Sequence, residues 1–172
     1  MKLEKKSPFL VICLPIPDER SDTKADGNIL ASRRERQEAM SAVWGFQCTC
    51  PHCSGTALEI EASDKRLERI LELQTILSDF DPGSVATTTM AEELIRLYEE
   101  ENLYAAKATG HKVAALAYNA VGDTEAAQRH AKVALEVGMV SSGSDEYAEE
   151  MKILLKNPAA HWSWHVRVHD EL

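Results

Sequence analysis

No run of 18 apolar residues occurs in this chain, so no membrane-spanning helix is expected. Basic residues are outnumbered: 19 Lys and Arg stand against 28 Asp and Glu, a formal net charge of −9. Nucleic-acid-binding domains carry the opposite balance, so no nucleic-acid partner is expected. An acidic surface suits basic partners such as Lys-rich tails. The P-loop, the Gly-rich dinucleotide fingerprint, His-Glu-x-x-His and the nucleophile elbow are all missing, which removes the usual signatures of nucleotide, metalloprotease and serine hydrolase chemistry. No pair of residues announces itself as a nucleophile and its base. Strand-forming runs are scarce as well. Phe9-Leu10-Val11-Ile12-Cys13-Leu14, bounded by prolines, is the one convincing strand. Lys2, Lys5 and Lys6 ahead of it imitate a signal peptide, but the run is short, prolines flank it and no small-residue cleavage site follows. A buried strand is the favoured reading and a signal sequence the minor one.

What the chain does contain is globular in composition, with 44% apolar and 27% charged residues. Its 172 residues suffice for one ordinary domain or two small ones. The most specific feature is Trp44-Gly45-Phe46-Gln47-Cys48-Thr49-Cys50-Pro51-His52-Cys53. Cys48, Cys50 and Cys53 have C-x-C-x-x-C spacing, which lets three soft thiolates wrap one zinc ion. Structural zinc takes four ligands, so the motif is one ligand short. His52 lies between two proposed ligands, and Cys13 comes from the preceding strand. Water, Cys13 or another chain are the ways to complete the tetrahedron. The bland alternative is three thiols without metal. Three cysteines within six residues fit an intracellular metal site, in nucleus or cytoplasm, better than a disulfide framework.

Almost everything else reads as helix. Ser32-Arg33-Arg34-Glu35 has the capping-box pattern and opens a helix to about Val43, with Gly45 as its stop. Ser63 is the expected cap of a second helix presenting Leu67, Ile70, Leu71 and Leu77, which Asp81-Pro82-Gly83 breaks. Met90, Leu94, Leu97 and Tyr98 mark a third. Two more are separated by Gly122-Asp123, the second ending near Gly138, and Asp145 to Lys156 forms another before Asn157-Pro158. Between Ala108 and Met139, the residues Ala115, Tyr118, Gly122, Ala127, Ala131 and Ala134 occupy the small-and-aromatic positions of a tetratricopeptide unit. Such a unit needs neighbours to bury its apolar face.

Three further groups carry competing readings. Trp44 and Phe46 beside the cysteines either wall a cofactor or pack into the core, and packing is the default. His161, His165 and His169, four residues apart, would align on one helix face and bind a metal, or serve packing and capping. Glu99-Glu100-Glu101 reads as a solvated helix face.

Arg36, then Trp44-Gly45-Phe46, then Cys48-x-Cys50-x-x-Cys53 resembles the post-SET segment of SET-domain protein lysine methyltransferases, in the branch that includes the SET-and-MYND proteins. Ala91-Glu92-Glu93-Leu94-Ile95-Arg96-Leu97-Tyr98, Ala117-Tyr118-Asn119-Ala120-Val121-Gly122-Asp123 and Pro158-Ala159-Ala160-His161-Trp162-Ser163-Trp164 resemble the C-terminal helical region of fungal members. The resemblance runs from about Ser32 to Arg167. It implies S-adenosylmethionine as methyl donor to a lysine amine, a post-SET aromatic lining the cofactor at the position of Phe46, and zinc held by Cys48, Cys50 and Cys53. It also implies a fourth zinc ligand from an N-H-x-C motif and a Gly-x-Gly cofactor motif, and neither occurs in these 172 residues.

The expectation is therefore a mainly α chain in three parts. Residues 1–31 form a strand and loop, a possible remnant of the SET core. Residues 32–56 form the cysteine-rich post-SET-like segment. Residues 57–172 form an antiparallel tetratricopeptide-like array of about five to seven helices. Functionally, the chain reads as a C-terminal part or divergent relative of a lysine methyltransferase, inactive alone. The competing reading is a helical interaction module with a structural cysteine segment.

Overall fold

The computed structural model describes residues 30–81, 83–141 and 148–168. The expected strand at Phe9–Leu14 lies outside them. Among the described residues the chain is mainly helical, with seven α-helices, two 3-10 turns and no strand. Two compact units divide it, residues 1–65 and 66–172, and the division falls within α3, Ala57–Leu77.

In the first unit, α1 spans Arg33–Trp44. Its start is the expected capping box. The Ser32 hydroxyl accepts from the Glu35 backbone N–H, and the Glu35 carboxylate accepts from the Ser32 backbone N–H at 2.8 Å. These reciprocal bonds satisfy two groups that a bare helix end leaves open. Gly45 closes the helix in the left-handed region, φ 68°, donating to Ser41 O. The short helix α2, Pro51–Ser54, follows. α3 begins six residues before Ser63, because Thr56 and Glu59 form a second capping box. Thr56 Oγ1 accepts from the Glu59 N–H at 3.3 Å, and Glu59 Oε2 accepts from the Thr56 N–H at 2.8 Å. Ser63 is not a cap; it is a buried interior residue.

The second unit holds the remainder of α3 with α4 (Thr88–Glu100), α5 (Lys107–Ala120), α6 (Thr124–Ser141) and α7 (Ala148–Lys156). α3 turns Leu67, Ile70, Leu73 and Leu77 inward, whereas Leu71 is exposed. These four recur at helical spacing on one stripe, and Leu71 falls off it. α4 buries Ala91, Leu94, Ile95, Leu97 and Tyr98. Each fully buried large side chain here contributes about 1.5–3 kcal/mol of hydrophobic stabilisation. Arg69 of α3 grips Glu93 of α4 with two parallel bonds of 3.0 and 2.9 Å, the fork geometry that suits guanidinium and carboxylate. Glu101, grouped by its sequence with a solvated acidic run, is buried and paired with Arg66. It caps α4 rather than extending its outer face.

α5 and α6 form the most extensive helix pair and are joined by three residues. α5 ends with Gly122 at φ 80°, where Gly122 N donates to Asn119 O and Asp123 N donates to Tyr118 O. That double bond pattern needs a left-handed residue just past the helix, and glycine adopts it at no steric cost. Asp123 then caps α6 by accepting from the Ala126 N–H at 3.0 Å. α4 stops the same way, with Asn102 at φ 55° and Leu103 N donating to Tyr98 O. Ala114, Ala115, Ala117 and Ala120 of α5 and Ala126, Ala127, Ala131 and Ala134 of α6 are all buried. α6 does not stop at Gly138 but continues to Ser141. Ala115, Leu116, Ala131, Ala134, Met151 and Leu154 form one core cluster, with Phe80, Leu135 and Leu155 packed against it.

Gly110 of α5 lies directly under Tyr98 of α4. A Cβ there would stand 2.8 Å from the Tyr98 ring. The ring cannot yield, since Tyr98 is fully buried and its hydroxyl accepts from Gln74 Nε2 at 2.6 Å. Gly138, by contrast, would place a Cβ 3.6 Å from Ala108, an ordinary contact. Gly110→Ala should lower the unfolding free energy by about 1–2 kcal/mol, since overpacking outweighs the helix-propensity gain. Gly138→Ala should raise it by up to about 1 kcal/mol. Urea titrations of the two variants check the contrast; equal effects would contradict the packing described.

Candidate metal centre

The cysteine segment is shaped by one face of α1. Arg33, Arg36, Gln37 and Met40 recur at helical spacing, and two of them, Arg33 and Gln37, hold the loop that follows by hydrogen bonds. Gln37 clamps the Cys48 backbone from both sides. Its Oε1 accepts from Cys48 N at 2.9 Å and its Nε2 donates to Cys48 O at 2.7 Å. Arg33 Nε donates to Cys53 O at 3.2 Å, and the Arg33 N–H is received by Asp64 at 2.7 Å. Met40, next along this face, is buried. Cys50 precedes α2, with Pro51 at the first helical position, where its missing N–H costs nothing. Cys53 N and Ser54 N both donate to Cys50 O at 2.9 Å, so one tight turn carries Cys50 and Cys53 together.

The result is convergence. The sulfurs of Cys48, Cys50 and Cys53 all lie within 4.8 Å of one another. A tetrahedral zinc with 2.3 Å bonds to sulfur needs its thiolates about 3.8 Å apart, so a small contraction suffices. Cys50 and Cys53 are free thiols, whereas Cys48 is disulfide-bonded, so the soft three-sulfur donor set that suits a thiophilic ion forms once that disulfide is reduced. Cys53 is buried at 1% exposure, and burial pushes its thiol above the ordinary range, opposed by the Arg36 guanidinium beside it. A thiol so placed is no nucleophile at neutral pH; a bound metal would ionise it and leave Arg36 to balance the charge. Among the described residues the group contains no fourth His, Cys, Asp or Glu atom, and His52 is not part of it. Phe46 and Trp44 are about half exposed, Phe46 at 51%. Neither is the core residue its type suggests.

The C-terminal histidines do not form a row on a helix. Pro158–Ala160 is a 3-10 turn, the chain then continues in turns, and His169 lies outside the described residues. His165 takes φ 56° and stacks on Trp164 at 4.1 Å. His161 is buried among polar groups. Its Nδ1 lies 2.7 Å from Ser163 Oγ, and its Nε2 lies 3.4 Å from Glu150 Oε1. Asn119 Nδ2 donates to the same Ser163 oxygen at 2.8 Å. Serine, histidine and glutamate thus stand in hydrolase order. Ser163 is 0% exposed, however, so no acyl group reaches it. Lys112 neutralises Glu150 at 2.9 Å, and the trio is a satisfied polar core that ties the C-terminal segment to α5 and α7. Arg167 completes the tie, donating from its backbone to Ala120 O and from its side chain to Leu77 O while lying 4.3 Å over the Phe80 ring.

Sequence reasoning missed Gln37, whose signal was its place four residues past Arg33 on the same helix face. It also missed His111 and His130, which the fold places in direct contact across α5 and α6, with 3.1 Å between their Nδ1 atoms.

Comparison of the chain with protein-family models, with curated proteins and with solved structures gave no match.

Gln37→Ala should leave α1 intact yet weaken cobalt(II) binding at the thiolates by roughly 10-fold or more, the usual loss when a ligand's support is removed. Charge-transfer absorption from thiolate to cobalt reports the affinity. Acid should also expose the polar core. Burial holds the imidazoles of His111, His130 and His161 below the ordinary value, which is about 6.5. The unfolded chain therefore takes up more protons as pH falls below about 6.5, and stability drops. Urea midpoints should be flat above about pH 7 and fall between about 6.5 and 5, before most carboxylates titrate.

Proposed function

We propose that this chain is the C-terminal part, or a divergent relative, of a SET-domain protein lysine methyltransferase of the SET-and-MYND branch. It would comprise a post-SET zinc knuckle followed by a tetratricopeptide-like helical array. The observation that carries the reading is the convergence of Cys48, Cys50 and Cys53 within 4.8 Å beside Arg36 and the half-exposed Phe46. Zinc is the favoured ion because three thiolates at this spacing suit a tetrahedral, redox-inert cation, and an intracellular, reducing compartment would free Cys48 from its disulfide to complete the set. The buried alanines of α5 and α6, with the left-handed Gly122 between them, support the tetratricopeptide-like assignment.

S-adenosylmethionine has one matching residue here, Phe46. A single aromatic side chain holds no cofactor, and these 172 residues contain no Gly-x-Gly or N-H-x-C motif. No methyl-transfer step is assigned to the chain alone. Its own part is to bind zinc, which fixes the loop carrying Phe46. The second reading, a helical interaction module with a structural cysteine segment, draws on the acidic balance of −9, which favours a Lys-rich protein partner.

Purified under reducing conditions, the chain should carry one zinc per molecule by elemental analysis, and Cys53→Ser should lose it. With S-adenosylmethionine and mixed histones it should transfer no methyl group. Robust turnover would overturn the inactive assignment, and a zinc-free wild-type protein would overturn the knuckle.

A further inference from the structure

His111 on α5 and His130 on α6 meet with their Nδ1 atoms 3.1 Å apart. His130 is buried at 7% exposure and His111 is half-buried. The far side of His130 is anchored: its Nε2 lies 3.2 Å from Glu92 Oε1 on α4. Tyr118 donates to that same oxygen at 2.8 Å and stacks on the His130 ring. Glu92 thus accepts the Nε2 proton, which fixes the tautomer and leaves the His130 Nδ1 lone pair facing His111. A carboxylate on the remote nitrogen is the support that metal-bound histidines receive.

The spacing fits one ion. Two imidazole nitrogens at 2.0–2.1 Å from a metal stand about 2.9 Å apart at a right angle and about 3.4 Å apart at the tetrahedral angle. The observed 3.1 Å lies between these values. We propose that His111 and His130 chelate a divalent transition-metal ion of borderline softness, zinc being the probe, at a site distinct from the cysteines. Binding replaces the single proton held between the two Nδ1 atoms. That proton moves to the Nε2 of His111, so both rings stay neutral and no net proton is released. The half-buried ring of His111 gives access, and water fills the remaining positions.

The sulfur and nitrogen sites separate cleanly by calorimetry on the full chain. Zinc titration should show a tight class at the thiolates and a weaker class at the imidazoles. His111→Gln should abolish the weaker class and spare the tight one, and Cys53→Ser should do the reverse. Glu92→Gln, at an exposed carboxylate, should weaken the imidazole class by about 10–100-fold. Circular dichroism confirms that the variants remain helical. Nitrogen-15 spectra of wild-type protein supply an independent readout: zinc should shift both Nδ1 signals while the His130 Nε2 proton persists. A titration with no weaker class, or a weaker class indifferent to His111→Gln, would reduce the pair to a hydrogen-bonded contact and overturn the proposal. Neither result bears on the thiolate knuckle.

Discussion

Close approach between helices is the constraint on which the larger unit depends. Gly110 leaves room for the edge of the Tyr98 ring against α5, and α5 and α6 together bury eight alanines. Small side chains contribute little apolar area individually. What they allow is proximity, and with it the dispersion contacts that a packed interior supplies. Proximity also brings polar side chains together that longer residues would hold apart. His111 and His130 meet across the α5–α6 pair, and Asn119 of α5 reaches Ser163 in the C-terminal turns. Polar contacts of this kind hold only when satisfied. The chains His111–His130–Glu92 and Asn119–Ser163–His161–Glu150 both end on a carboxylate, one bonded by Tyr118 and the other paired with Lys112, while Asn119 Oδ1 is buried without a hydrogen-bond partner.

Helix ends were the most legible part of the sequence, because capping is local. Ser32 with Glu35, Gly45, and Gly122 with Asp123 all act where their patterns indicate. The same logic applied to Thr56 and Glu59 would have placed the start of α3 correctly; Ser63 was a weaker candidate, lacking an acid three residues on. Leu71, Glu101 and Gly138 misled for a different reason. Their fates are set by the fold around them: Leu71 falls off the buried stripe of α3, Glu101 is paired with Arg66, and Gly138 lies inside α6. The histidine row failed similarly, because Pro158 and the positive φ of His165 replace a helix with turns.

The cysteine cluster was legible in its ligands and opaque in its support. Spacing alone places Cys50 and Cys53 on one turn, whatever precedes them. Nothing in C-x-C-x-x-C says how Cys48 is brought to meet them. Gln37 does this through two backbone bonds, and it is recognisable only once α1 is known to pack along the loop. Ligand loops without such clamps must order on binding, and that entropy is subtracted from metal affinity. Here much of the ordering is supplied by a helix that is itself capped at both ends, so the loop is arranged before any ion arrives.

The two metal-capable clusters differ in a way that bears on what each can do. Burial raises the Cys53 thiol, which a bound cation would ionise, and Arg36 beside it offsets part of the charge it would then acquire. Such a site favours permanent occupancy, since releasing the ion means reprotonating buried sulfur. The imidazole pair is neutral with or without an ion, and its hydrogen bond is intact when empty. Exchange there costs one hydrogen bond and one tautomer, not a set of buried charges. The sulfur cluster is therefore suited to holding a loop in shape, and the nitrogen pair to responding to metal supply. An ion between α5 and α6 would add a link across the most extensive helix pair of the unit.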